Sequence, residues 1–148
     1  MKTNKRDTLD RLMTSYQKEA IRELRDAVIR FYKDSSPKVY EEVLVAFFTA
    51  VRDGKAAYCP AESFDSAAGT FEPGKVKTSD GMMYVLCTSP EEAALCPEDS
   101  VVVIGMDHIV GTAAEDQKCN GVCLNPYGVR PCVLPRDVIR RMLDIGRD

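Results

Sequence analysis

Seven side chains in this sequence have the intrinsic reactivity to carry a reaction: the thiols of Cys59, Cys87, Cys96, Cys119, Cys123 and Cys132, and the imidazole of His108. A cysteine nucleophile needs a base or a cation to hold it as thiolate. With one histidine, a thiol hydrolase would have to place a cysteine beside His108, and no spacing in the chain does so. Asp107-His108 instead reads as a surface or capping pair near a helix start. Cys119 and Cys123 stand four apart around Asn120-Gly121. A structural zinc site takes two such pairs, or one pair with two histidines; one loose pair and one His fall short, so no metal is expected. Cys59, Cys87, Cys96 and Cys132 lie in apolar stretches or beside prolines, where cysteine behaves as a small buried hydrophobe. That leaves Cys119 as the redox candidate, because the flanking Lys118 and Asn120 predict exposure and a nearby cation favours thiolate.

Other reactive patterns are missing from the sequence. The glycines form no phosphate-cradling G-x-G-x-x-G or G-x-x-x-x-G-K, and no cofactor is expected. Paired carboxylates at Glu41-Glu42, Glu91-Glu92 and Glu98-Asp99 fall at helix starts or loops, where solvation and the helix dipole account for them. Asn125-Pro126-Tyr127-Gly128 reads as a structural turn rather than a ligand site. Pro126 fixes its own φ and pushes Asn125 toward extended backbone. From there the Asn125 side chain would accept from the Tyr127 amide as an Asx-turn, and Gly128 would supply a positive φ.

The elements that position these residues follow from periodicity. Leu9, Leu12, Met13, Tyr16, Ala20, Leu24, Ala27, Val28 and Phe31 recur every three or four positions, an amphipathic helix with Thr14-Ser15 as a break point. This charged arm, residues 1–34, carries nine Lys/Arg against six Asp/Glu, whereas residues 35–148 carry eleven against seventeen. Its narrow stripe suits packing on the body or on a second copy of the chain, which leaves self-association open. Ser36-Pro37 caps and starts a helix through Val51, stopped by Asp53-Gly54. Ala56–Cys59 reads as a strand ended by Pro60, and 61–73 as loop. Val76 and its neighbours, Ser79-Asp80-Gly81 and Met82–Cys87 form a hairpin. Thr88-Ser89-Pro90-Glu91-Glu92 predicts a short helix, with Ser89 as cap and Glu92 closing a capping box. Val101–Ile104 reads as a buried strand, followed by a helix from about Asp107 to Asp116. Gly121–Leu124 and Cys132-Val133 are strands, the last at an edge because of Pro131. Leu134-Pro135 opens a helix with Val138, Ile139, Met142 and Leu143 inward. The predicted fold is α+β: a mixed sheet of about five short strands packed with helices, preceded by the amphipathic helix.

The 148 residues suit one domain with a sizeable core, and 45% apolar with 29% charged is an ordinary globular balance. No apolar run approaches a membrane span, and Met1–Asp7 lacks the apolar stretch of a secretory signal. Reduced thiols in the cytoplasm are therefore expected rather than a disulfide framework. The arm's charges are mixed in sign, which predicts a solvated face and no nucleic-acid partner.

Asp80-Gly81, Tyr84 and Thr88–Ala93, then Gly121–Gly128, Val133-Leu134-Pro135 and the helix Asp137–Leu143, resemble in order and spacing the N-terminal domain of the SseB family. The resemblance spans about residues 36–146. Cys87 stands where that family usually carries an aromatic residue. The resemblance implies a fold and a bacterial cytoplasmic setting, and brings no reaction, cofactor or catalytic residues with it. The functional expectation is a non-catalytic protein-interaction or regulatory module with a protein partner. The alternative is a thiol-based enzyme or redox sensor using one of the cysteines.

Overall fold

The computed structural model describes the backbone of residues 4–147 and the side chains through Asp144. Met1–Thr3, the start of the basic tail, lie outside the described residues. The arm forms three helices: α1 (Lys5–Asp10), α2 (Ser15–Ala20) and α3 (Arg22–Lys33). The break at Thr14 is enforced by a reciprocal capping box with Gln17, and a second break falls at Ile21. Each break resets the helical phase, so the single stripe read from the sequence does not survive whole. Leu9, Met13, Ile21, Leu24, Ala27, Val28 and Phe31 are buried, whereas Leu12 and Tyr16 face solvent.

Helix α4 (Pro37–Arg52) starts at Ser36, whose hydroxyl accepts from the Val39 amide, and ends at Asp53 and Gly54, the latter at φ 64°. Strand β1 (Ala56–Asp65) then runs on through Pro60 and turns back as β2 (Thr70–Pro73). The segment 61–73 expected as loop is thus an exposed hairpin. Its Ser- and Gly-rich composition signals the tip at Asp65–Gly69, where the Asp65 carboxylate accepts from the Ala67 and Ala68 amides. Strands β3 (Lys75–Thr78) and β4 (Gly81–Leu86) pair antiparallel as predicted. Helix α5 (Pro90–Ala94), β5 (Ser100–Gly105), α6 (Met106–Glu115), β6 (Gly121–Leu124), β7 (Cys132–Pro135) and α7 (Arg136–Arg147) complete the chain.

The strands form two sheets, β2-β1-β5 and β3-β4-β6-β7, the second mixed because β4 and β6 run parallel. Tyr58 of β1 and Cys87, just past β4, exchange both backbone hydrogen bonds (3.0 and 2.8 Å) and join the sheets. Strand β7 lies at an edge, as Pro131 predicts. Strand β5 is an edge as well, so Val101–Ile104 are half-buried, not the buried central strand that their β-branched run suggested. Gly121 is required where β6 meets β7: at φ 146°, a Cβ there would come within 2.1 Å of the Leu134 carbonyl.

One apolar cluster runs from Leu9 through α3 and α4 to Ile139 and Met142. The buried side of residues 4–34 therefore faces the body, which answers for that face the choice between body and second copy. Fully burying a large apolar side chain contributes about 1.5–3 kcal/mol. Leu9, Met13, Leu24, Val28 and Phe31 together rival the roughly 5–15 kcal/mol by which domains are stable at all. A chain beginning at Ser35 is therefore expected to lose its cooperative urea transition. An unchanged midpoint in that truncated chain would mean that the arm only decorates the fold.

Candidate functional site at the ends of the parallel strands

The two parallel strands end side by side, β4 at Leu86 and β6 at Leu124. In open α/β sheets ligands bind in the crevice beyond the carboxyl ends of the strands at a topological switch point, and this mixed sheet has one such parallel pair of ends. Here the chain leaving β4 crosses to Tyr58 through Cys87 and then enters α5, while the chain leaving β6 turns at Asn125. The Thr88 amide has no strand partner left, and Asn125 supplies one. Its Oδ1 accepts from the Thr88 amide and its Nδ2 donates to Thr88 Oγ1, both at 3.0 Å, while its own amide donates to the Leu86 carbonyl at 3.0 Å.

To make these contacts Asn125 adopts φ 51°, not the extended backbone expected before Pro126, and its side chain bonds Thr88 in place of the Tyr127 amide. The left-handed conformation costs roughly 1–2 kcal/mol, less for Asn than for most residues. An unpaired buried amide at Thr88 would cost about 1–3 kcal/mol, and the two further hydrogen bonds tip the balance. The turn itself is present, with the Gly128 amide donating to the Asn125 carbonyl at 3.2 Å. Gly128 is not in a positive-φ conformation, however. Its close neighbour is a carboxylate: a Cβ would lie 2.3 Å from Oε2 of Glu92, which would have to shift to admit it.

Glu92 does not close the capping box either. Ser89 accepts from the Glu92 amide at 3.2 Å, but the Glu92 carboxylate turns to the Tyr32 hydroxyl, which donates to Oε1 at 3.1 Å. Oε2 is buried without a hydrogen-bond partner. Burial, seconded by Glu91, raises the Glu92 carboxyl above its ordinary range against the opposing Tyr32 hydrogen bond. Burial likewise raises the Tyr32 phenol.

These groups line an open cleft of about 380 Å³ between α3 and the Thr88–Glu92 segment, with Arg25 and Ile29 on its arm side. Thr88, Ser89 and Asn125, the buried polar residues of the described chain, all lie in this lining. A smaller polar cavity of about 90 Å³ adjoins through Arg25, Thr88 and Glu91, and contains Tyr58, whose hydroxyl is buried without a partner. The groove between α3 and α4 is larger, about 560 Å³, but it is a solvated charged face crossed by the Arg30–Glu42 pair at 3.2 Å.

Cys119, expected to be exposed, is 1% accessible. Its neighbours Lys118 and Asn120 do face water, but the thiol turns inward from the turn that leads to β6. Burial and Asp116 push it up, away from thiolate. The Arg136 guanidinium binds the carbonyls of Asp116 and Cys119 and so fixes that turn. Burial raises Cys59, Cys123 and Cys132 to about 12. His108 is exposed on α6 while every cysteine is buried, so the structure does not assemble a Cys–His pair. Among the described residues no three His, Cys, Asp or Glu side chains converge as a metal site. The thiols that do meet are Cys87 and Cys96, with Sγ atoms 3.6 Å apart.

Sequence reasoning placed Ser89, Glu92 and Asn125 but did not bring them together, and it missed Arg25, Tyr32 and the Cys87–Cys96 pair. The thiol pair had a signal, since the two cysteines flank the one short helix whose start was legible. No protein-family model, curated protein or solved structure matches the chain.

Two outcomes follow from this geometry. Asn125→Ala should lower stability by on the order of 2–4 kcal/mol in urea unfolding, and Asn125→Gly should recover about 1 kcal/mol by relieving the backbone. Equal losses would mean that the left-handed conformation carries no strain. For Glu92, a folded-state pKa above the unfolded one favours the fold at low pH and withdraws that contribution as pH rises through the folded value. Glu92→Gln stays neutral, so its stability relative to the parent should improve with rising pH; a flat difference from acid to neutral pH contradicts the burial of Glu92.

Proposed function

We propose that this protein is a non-catalytic regulatory module that receives a segment of a protein partner in the cleft between α3 and the ends of β4 and β6. The observation that carries this reading is the convergence of Thr88, Ser89 and Asn125 on an opening that Arg25 and Ile29 border from the arm. Such a surface suits a polypeptide. The hydroxyls of Thr88 and Ser89 already accept hydrogen bonds, and each keeps a proton to donate to a backbone carbonyl. Ile29, 44% exposed, offers an apolar contact at the rim. Support also comes from the sequence motifs: the Thr88–Ala93 and Gly121–Gly128 stretches that resemble SseB-like N-terminal domains form the body side of the cleft, facing α3. On this reading the protein works in a bacterial cytoplasm and acts by occupancy, without turnover. No helix is long and apolar enough to cross a membrane among the described residues.

A photoreactive amino acid placed at Ile29 tests the proposal in the producing cell. The expected result is a discrete protein adduct that Arg25→Glu abolishes and that the same probe at Phe64, outside the cleft, does not give. Adducts of equal yield from both positions, or none from Ile29, would overturn it.

A further inference from the structure

Cys87 and Cys96 bracket the segment that carries Thr88, Ser89, Glu91 and Glu92 to the cleft. Cys87 is held from both sides through its backbone exchange with Tyr58, while Cys96 follows the single short helix α5. Their sulfurs are 3.6 Å apart, and Cys96 Sγ also lies 4.0 Å from the Glu92 carbonyl. Among the described residues no other two thiols share a hydrogen bond. A disulfide needs about 2.05 Å between sulfurs, so a displacement of roughly 1.5 Å closes the gap. The five-residue α5 has less to move than a strand does.

The pair is also chemically unequal. With Cys87 as the donor of the shared hydrogen bond, that bond holds Cys96 below its ordinary value against the opposing effect of burial, and Lys5 acts in the same direction as the bond. The same hydrogen bond, with burial, pushes Cys87 up. Lys5 is in place because its ammonium donates to the Cys96 and Glu98 carbonyls at 2.7 and 2.8 Å, tying α1 over the end of α5. Cys96 is only 3% exposed, and the α1 that Lys5 ties beside it is six residues long, the kind of short element that opens locally.

We propose that Cys87 and Cys96 form a redox-modification site, oxidised by a peroxide to an intramolecular disulfide that resets the cleft between them. The Cys96 thiolate attacks one peroxide oxygen; an S–O bond forms, the O–O bond breaks, and the second oxygen leaves as hydroxide and takes a proton to become water. The Cys87 sulfur then attacks the Cys96 sulfenic acid; the S–S bond forms, the S–O bond breaks, and the hydroxyl leaves as water with the Cys87 proton. Two thiols have lost two electrons in all, and hydrogen peroxide has been reduced to two waters. Closure draws α5 toward Cys87, so the Glu92 contact with Tyr32 and the Asn125 contacts with Thr88 must readjust. This effect on binding rests on the cleft reading above, whereas disulfide formation does not.

The test treats the native full chain with hydrogen peroxide, removes the peroxide, blocks remaining thiols by alkylation in denaturant and maps peptides without reduction. The expected product has four alkylated cysteines, a Cys87–Cys96 cross-linked peptide and full reversal by dithiothreitol. Cys96→Ser should form no disulfide, with Cys96→Ala replacing it if serine shifts the urea midpoint, and Cys123→Ser should behave as the parent. Alkylation of all six cysteines after peroxide, or irreversible oxidation without the cross-link, overturns the site. In the oxidised protein the side-chain amide signals of Asn125 and the Thr88 amide signal should shift by NMR. A disulfide that leaves them in place overturns the coupling to the cleft and says nothing against partner binding there.

Discussion

The Thr88 amide is the point on which the fold turns. Strands β4 and β6 run parallel to their ends, and beyond those ends the two chains must part, one crossing to β1 and the other turning toward β7. Parting leaves a buried donor with no ladder to enter, and buried backbone groups in proteins are almost always paired. Asn125 closes that gap by acting as one more strand residue made of side chain, bonding Thr88 with Oδ1 and Nδ2 while its own amide stays on Leu86. The left-handed backbone at Asn125 follows from this task. The turn to Gly128 starts from that conformation.

A junction of buried polar groups is stable only if water is kept from competing, and here the arm supplies part of the cover. Helix α3 places Tyr32 on Glu92, and α1 places Lys5 on the Cys96 and Glu98 carbonyls while Arg6 reaches Glu91 at 2.7 Å. The Arg6–Glu91 pair is exposed and contributes little by itself. The apolar side of the arm does the holding, through Leu9, Leu24, Val28 and Phe31. Its mixed surface charge, read from the sequence as a solvated face, is the outer face of a helix packed on the body.

Much of the fold was legible because local chemistry and tertiary structure agree. Ser36-Pro37, Asp53-Gly54, Ser79-Asp80-Gly81 and Ser89-Pro90 all mark boundaries where their side chains or backbone preferences predict them. The failures at the cleft share a cause: a long-range partner displaced the local one. Glu92 left its capping box for Tyr32, sixty positions away in the chain. Asn125 left its Asx-turn for Thr88, and Gly128 lies against a carboxylate no local rule could place. Cys119 misled for a related reason, since polar neighbours in sequence report the exposure of the turn and not the direction of one side chain. The site was legible only as separate parts, because its assembly depends on β4 and β6 being parallel, and strand pairing is not written in either strand.

The parts also close on themselves. Glu92 stands between Tyr32 and Gly128, Gly128 donates to Asn125, Asn125 holds Thr88, and Thr88 follows Cys87, whose sulfur meets Cys96 one turn beyond Glu92. Spatial adjacency alone is weak grounds for coupling two sites. Here the connection is mechanical: Cys87 and Cys96 are the two ends of the segment that bears the cleft's hydroxyls and carboxylate. One end is pinned between two sheets by the Tyr58 bridge, and the other directly follows a helix of five residues. Any change in the distance between those ends has to be taken up by the helix, and the helix cannot move without carrying Glu92. A short covalent tether at that spot therefore acts on the cleft directly, with no chain of intermediaries required.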